Sequence, residues 1–276
     1  MTHDHLYVSD LDGTLLLDNR ELSEFTITAI QKFIASNKKF TFATARSLTS
    51  SLRYLEALNI QLPVVLYNGA LVYDPVLKKY ALERAIDLCL ANDILAKIMQ
   101  YNLNPIVHLI DENNRPKVFY KTIANDSEQA YIDFRKRSDD DRFTHVDQLN
   151  FQQSQRVIEI MATGTQIQLL PLYNELSKNP LLKIYLAEDI YFKGFYWLEV
   201  VHELATKKHG IEFLKSYIGC NEVTCFGDST NDIPMFEASN NRYAMANAHP
   251  ALIALAHQVI NSNEENAVAH FLANML

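Results

Sequence analysis

Five consecutive residues, Asp10-Leu11-Asp12-Gly13-Thr14, follow the apolar run Leu6-Tyr7-Val8 and place two carboxylates where a buried strand should end. A carboxylate can attack phosphorus, but it must approach an anion to do so, and a divalent cation or another positive group has to offset the repulsion. A second carboxylate can then serve as proton donor. Side chains two apart on an extended segment share a face, so Asp10 and Asp12 can address one ligand before the backbone turns. Gly13 permits that turn and lets backbone N–H groups approach an anion. The competing reading is a hairpin, because Asp-Gly between residues 6–8 and 15–17 is also a turn signal flanked by apolar runs.

Three later segments supply what the carboxylate pair lacks. Thr44 ends an apolar strand and precedes Ala45-Arg46; its hydroxyl can bind a phosphate oxygen while Arg46 meets the rest of the substrate. The plainer reading is a strand end followed by an exposed arginine. Lys207 opens a predicted helix whose apolar positions include Ile211, Phe213 and Leu214, where an ammonium can neutralise both phosphate and attacking carboxylate; the plainer reading is a surface lysine like its neighbour Lys208. Gly227-Asp228-Ser229-Thr230-Asn231-Asp232 lies between a predicted strand and a helix, and its hard oxygen ligands suit Mg²⁺. Alone it also reads as a strand-to-helix loop with an acidic cap. All four segments fall in order at strand tips or a helix start, where ligands gather in parallel sheets, and that coincidence favours the functional reading.

The elements that would hold these residues can be read from periodicity. Phe25, Ile27, Ile30, Phe33 and Ile34 recur at helical spacing behind Ser23, a candidate cap, and strands are predicted over 40–44 and 64–67 around a helix at 50–58. Strand and helix alternation of this kind indicates a parallel sheet with crossover helices. After about Ala81 the pattern changes to a strand pair at 106–110 and 118–121, helices at 88–99, 127–136 and 166–176, and strands at 156–161 and 183–186, which together read as an inserted α+β domain. Alternation resumes with strands at 223–226, 243–245 and 259–260 and helices at 233–238 and 267–272.

Composition narrows the function. The 276 residues, 48% hydrophobic with seven glycines and eight prolines, describe a folded chain with a sizeable core. A formal charge of −8 argues against a nucleic-acid partner while leaving room for a local cationic pocket. Cys89, Cys220 and Cys225, odd in number and without a secretory leader, favour a reducing cytoplasm over a disulfide framework. No segment approaches a membrane span in length, so no membrane partner is expected. The run Asp139-Asp140-Asp141, set among Arg135, Lys136, Arg137 and Arg142, reads as a solvated loop, and His3 and His5 as a mobile tail.

The quoted segments, together with Asn68-Gly69-Ala70 and Ala244-Met245-Ala246-Asn247-Ala248, resemble the haloacid dehalogenase superfamily of phosphohydrolases, in its Cof-type branch. The resemblance implies a Rossmann-like α/β core with a parallel sheet, built from residues 1–82 and 190–276, and an inserted α+β cap over 83–189. It implies that Asp10 is the nucleophile forming an aspartyl-phosphate, that Asp12 is general acid and then base, and that Thr44 and Lys207 orient the phosphate. Arg46, Asn68, Gly69 and Asn231 would complete the substrate site. Mg²⁺ would be held by the Asp10 side chain, the Asp12 carbonyl and the Asp228 side chain, with Asp232 supporting the metal waters. Ala45, Leu204, Lys208 and Asn266 stand where the family commonly has glycine, which bears on loop shape.

The expected activity is Mg²⁺-dependent hydrolysis of a small phosphorylated metabolite, a sugar phosphate or a phosphorylated cofactor. Asp12 argues against dehalogenation, which needs no proton donor for an alkoxide. A sugar phosphomutase would use the same groups, and a non-catalytic phosphate sensor would need neither Asp10 nor Asp12. Oligomeric state is not written in the sequence.

Overall fold

The computed structural model describes residues 4–137, 140–151, 153–189 and 192–276. In chain order, β1 (His5–Ser9), α1 (Glu24–Ala35), β2 (Lys39–Phe42), α2 (Leu48–Ala57), β3 (Val64–Leu66), β4 (Leu71–Asp74) and β5 (Lys79–Glu83) come first. Next are α3 (Leu88–Gln100), β6 (Ile106–Ile110), β7 (Pro116–Tyr120), α4 (Asp126–Arg137), β8 (Phe143–His145), β9 (Arg156–Thr165), α5 (Gln166–Leu176), β10 (Leu182–Glu188) and β11 (Phe195–His202). Last are α6 (Lys207–Ile218), β12 (Glu222–Gly227), α7 (Ile233–Glu237), β13 (Asn241–Met245), α8 (Pro250–Ile253), β14 (Gln258–Ile260) and α9 (Ala267–Ala273). The chain folds as two compact units, one from Met1–Glu83 with Ala205–Leu276 and the other from Arg84–Leu204.

In the first unit a parallel sheet runs in the order β14-β13-β12-β1-β2. β1 is interior, with Leu6 opposite Val223 and Val8 opposite Cys225, and its apolar residues are buried. A strand covered on both faces needs that continuous apolar run in place of alternation. β3 touches β2's extension through one parallel bridge, Ala43 with Val65, and then turns back into an antiparallel sheet with β4 and β5. The helices start where caps dictate: the Ser23 hydroxyl accepts from the Thr26 amide, Ser47 from Ser50, and Thr206 from His209. α1 buries Ala29, Ile30 and Phe33 along one face, the stripe an amphipathic helix lays on a core.

The hairpin reading of residues 15–17 does not hold. The Leu11 carbonyl accepts from the amides of Thr14, Leu15 and Leu16, so the chain coils tightly after β1 rather than turning back as a strand. His5 is likewise no tail: it opens β1, with Nε2 2.7 Å from Thr224 Oγ1 and Nδ1 3.2 Å from Glu222. His3 lies outside the described residues.

The second unit carries a sheet in the order β10-β11-β9-β6-β7-β8, antiparallel except for β7 with β8. α3 and α5 bury Ile94, Ile98, Leu169 and Leu172 against Val107, Ile160 and Leu198 on one face. Ile132 of α4 meets Ile106, Val118 and Met161 on the other, the alternation that period-two side chains require. β11 pairs with β9 and β10, so this sheet continues beyond residue 189, the sequence-based boundary. Asp139 lies outside the described residues, and Asp140 is not solvated: its carboxylate forks with buried Arg142 at 2.7 and 2.6 Å. Among the described residues no helix is long and apolar enough to cross a membrane.

Candidate active site

Asp10 follows the last residue of β1, and its amide donates to the Phe226 carbonyl at the end of β12. Two adjacent parallel strands therefore end together, and the loops after them share one rim. Asp228 and Asp232 come from the β12 loop, and one ligand oxygen from each of Asp10, Asp228 and Asp232 lies within 4.8 Å of the others. The cleft of about 290 Å³ is lined by Asp10, Asp12, Gly13, Thr44, Ala45, Asp228, Ser229 and Asn231.

Lys207, the first residue of α6, is fully buried among these carboxylates. Its Nζ donates to Asp10 Oδ1 at 2.7 Å and to Asp232 Oδ1 at 2.6 Å. Burial pushes the ammonium pKa down, but the attraction of Asp10 and Asp232 outweighs it, and the net shift is upward. Burial raises the Asp10 pKa well above the carboxylate range; Lys207 opposes this, while Asp232 and Asp228 add to it. Asp228 is pushed up to about 6, by burial first and by Asp232 second, against the hydrogen bond from Thr14. One lysine does not neutralise three neighbouring carboxylates, and the cluster therefore favours a further cation.

Asp232 is already committed. Its Oδ2 accepts from the Asp228 and Ser229 amides at 3.0 and 3.1 Å while Oδ1 takes Lys207, so it fixes the loop that aims Asp228. Gly227 makes room for it, since a Cβ there would lie 2.7 Å from Asp232 Oδ2. Thr14, missed as a site residue in the sequence, donates to Asp228 Oδ1 at 2.8 Å. Asn247, noted only within its motif, donates to the Gly13 carbonyl at 2.8 Å.

Thr44 is buried, and its Oγ1 accepts from the Arg46 amide at 3.1 Å. The Arg46 guanidinium, expected on substrate, forks onto Asp12 with Nε 2.7 Å from Oδ2 and Nη2 2.5 Å from Oδ1. Asp12 stands at the mouth with its side chain half exposed. Tyr67, Asn68 and Gly69 all adopt left-handed backbone conformations, and the Tyr67 and Asn68 amides donate to the Arg46 and Thr44 carbonyls. The turn so formed sends Asn68 Oδ1 to Asn231 Nδ2 at 3.2 Å. Asn231 Oδ1 is sealed from solvent and has no hydrogen-bond partner among the described residues. Gly69 packs directly on the Thr206 backbone, so it positions the start of α6 and hence Lys207.

The departures from glycine have separate answers. Ala45 and Lys208 are absent from the positive-φ residues and need no glycine. Asn266 keeps φ at 53°, a region asparagine tolerates, and its Oδ1 accepts from the Ser23 and Thr26 hydroxyls.

Comparison with known proteins places this geometry among relatives. The family described as haloacid dehalogenase-like hydrolase matches residues 7–272. YxeH of Bacillus subtilis (strain 168) is 26% identical over 283 residues, covering 98% of each chain. The 5-amino-6-(5-phospho-D-ribitylamino)uracil phosphatase YitU of the same organism is 23% identical over 284 residues, covering 98% of this chain and 97% of its own. The crystal structure of a haloacid dehalogenase-like hydrolase from Bacteroides thetaiotaomicron superposes with a TM-score of 0.82 at 18% identity, covering 99% of each chain.

Proposed function

The chain belongs to the haloacid dehalogenase-like hydrolases and is a phosphatase; on that premise we propose that it is a Mg²⁺-dependent phosphomonoesterase for small metabolites, sugar phosphates or phosphorylated cofactors. The observation that carries the reading is the buried Asp10–Lys207–Asp232 chain beside Asp228 in one cleft, with Asp12 at its mouth.

Asp10 attacks phosphorus and becomes an aspartyl-phosphate while the ester oxygen leaves. Asp12 gives that oxygen its proton, then takes one from the water that attacks the acyl phosphate, and so returns to its starting state. Lys207 opposes protonation of the nucleophile and orients it by pairing with it, and its charge favours the approach of the phosphate dianion. Thr44 offers a hydroxyl and Asn231 an amide at the phosphate position.

The donor set fits a hard divalent cation: carboxylate oxygens converge and carry unneutralised charge. Asp10 and Asp228 would hold Mg²⁺, together with the Asp12 carbonyl that the family resemblance implies, and Asp232 would act behind them. When bound, such a cation lowers the repulsion between nucleophile and phosphate.

The experiment is phosphate release from sugar phosphates, nucleotides, pyridoxal phosphate and an aryl phosphate, with and without Mg²⁺, beside Asp10→Asn. Release that needs Mg²⁺ and vanishes in the variant is expected. Release that survives Asp10→Asn in a preparation cleared of other phosphatases overturns the nucleophile, and release indifferent to chelation overturns the metal.

A further inference from the structure

We propose that Tyr54, on α2 and outside the acidic cluster, is a positioning residue for proton transfer, holding Arg46 and through it the Asp12 carboxyl; the inference rests on the reading of Asp12 as general acid.

Among the described residues, Arg46 is the one side chain bonded to the Asp12 carboxylate. Asp12 itself is half exposed, with a side-chain accessibility of 50% against 18% for Arg46. A solvated aspartate moves among rotamers, whereas a planar fork of two charge-assisted bonds fixes both the position and the plane of the ionised carboxylate, and the carbonyl oxygen of the protonated form can still accept one of them. The fork can do so only if the guanidinium is fixed too, and Tyr54 provides that.

Tyr54 is buried. Its hydroxyl accepts from Arg46 Nη1 at 3.3 Å and from Arg53 Nη2 at 2.5 Å, and donates to the Arg20 carbonyl at 2.8 Å. One proton and two lone pairs are therefore all used. The ring carries both cations, with the Arg46 and Arg53 guanidinium carbons 5.3 and 4.6 Å from its centroid. Arg53 continues outward to Glu21 Oε1 at 3.0 Å and to the Arg20 carbonyl at 3.1 Å. The phenol thus ties Arg46 to residues 20–21, the far end of the coil that begins at Asp12. Asp12 is held from its side chain and from its own backbone segment by one buried hydroxyl.

The test compares kcat/KM on two esters with Mg²⁺ present: the best alkyl phosphate of the panel, whose alkoxide needs a proton, and p-nitrophenyl phosphate, whose leaving group scarcely does. Tyr54→Phe keeps the ring and removes the hydroxyl. The alkyl ester is expected to slow about 10-fold, a fraction of the 10²–10⁴ a positioned acid supplies, and the aryl ester less than about 3-fold. Loosened packing alone would slow both alike, and an unchanged alkyl-to-aryl ratio overturns the proposal.

Arg53→Gln, at an exposed position, removes one bond to the same hydroxyl without a core substitution. It should lower the ratio about 2- to 5-fold, and an unchanged ratio there counts equally against Tyr54. Asp12→Asn is the reference. If it slows the alkyl ester selectively while both Tyr54→Phe and Arg53→Gln do not, Tyr54 has no positioning role. If Asp12→Asn slows both esters equally, the acid assignment fails and the proposal falls with it.

Discussion

Replacing Lys207 with methionine keeps the length of the side chain and removes its charge, which isolates the electrostatic role of a residue with no exposed surface. The ammonium touches Asp10 and Asp232 at 2.7 and 2.6 Å, and both carboxylates are buried. Removing one partner of such a pair costs about 3–5 kcal/mol because the remaining charge is stranded. Protonation limits the penalty. Asp10 already has a raised pKa, and Lys207 is the strongest influence holding it down; without the lysine it rises further.

Parent and variant both hold an Asp10 proton that the unfolded chain releases near pH 4, so both lose stability as pH rises from there, and the variant goes on losing it above the parent's Asp10 value. The lysine's own pKa is raised, so its contribution is complete below the ordinary value near 10.4 and is lost only above it; it adds no pH dependence at neutrality. We expect a loss of about 3–5 kcal/mol at pH 8, the general range for broken buried pairs, and no greater loss at pH 5.5. The chain's single tryptophan, Trp197, lies in the other unit, so fluorescence would follow the wrong part of the molecule. Amide exchange of β1 and β12 in divalent-free buffer reads the relevant one. Equal protection of variant and parent at pH 8, or a loss larger at pH 5.5 than at pH 8, would refute the reasoning.

Gly69→Ala should slow turnover at least about 10-fold and speed amide exchange at the start of α6, because a Cβ at φ 106° would run into the Thr206 backbone that starts the Lys207 helix; turnover within 2-fold of the parent would refute this. Glu128, buried in the second unit, has its pKa raised to about 6, chiefly by burial. The native state therefore holds its proton longer than the unfolded chain, and stability is lost as pH rises between about 4.5 and 6. Glu128→Gln should gain about 2 kcal/mol at pH 7.5 and almost nothing at pH 4.5, measured by urea denaturation at both. Asn266→Ala should cost about 2 kcal/mol, for the left-handed backbone and two lost hydroxyl partners. Asn266→Gly should cost less, about 1 kcal/mol, from the partners alone, and calorimetry that ranks the two the other way would remove the conformational account.

Much of the candidate site was legible because the residues expected to do chemistry sit at the ends of short apolar runs, and the run tells where the strand stops. Leu6-Tyr7-Val8 placed Asp10, and Val223 to Phe226 placed Asp228 and Asp232. Ser23 gave the start of α1 directly, since a hydroxyl before an amphipathic stripe has one favoured use. What stayed hidden depends on long-range contacts. Nothing near Arg46 in sequence indicates that its guanidinium reaches Asp12, and nothing near Tyr54 indicates three partners. The left-handed Tyr67 is equally silent, because a tyrosine carries no preference for that conformation; Asn68 and Gly69 beside it do. β11 was missed because Phe195 to Val201 is apolar at nearly every position without the strict alternation of a half-buried strand, and its place follows only from pairing with β9 and β10.

The strand order has a consequence for how the chain is made. β1 leaves the ribosome well before its neighbour β12, which lies roughly 210 residues later. At about 5–20 residues per second, one edge of β1 waits on the order of 10–40 s of synthesis for its partner. The stretch Arg84–Leu204, by contrast, is continuous, so every strand of its sheet has emerged before β12 is translated. An unpaired apolar edge is a template for association with other chains. The nascent protein is therefore most vulnerable over the span in which the first unit is half built, and slowing translation before Glu222 should lower soluble yield more than slowing it after Gly227.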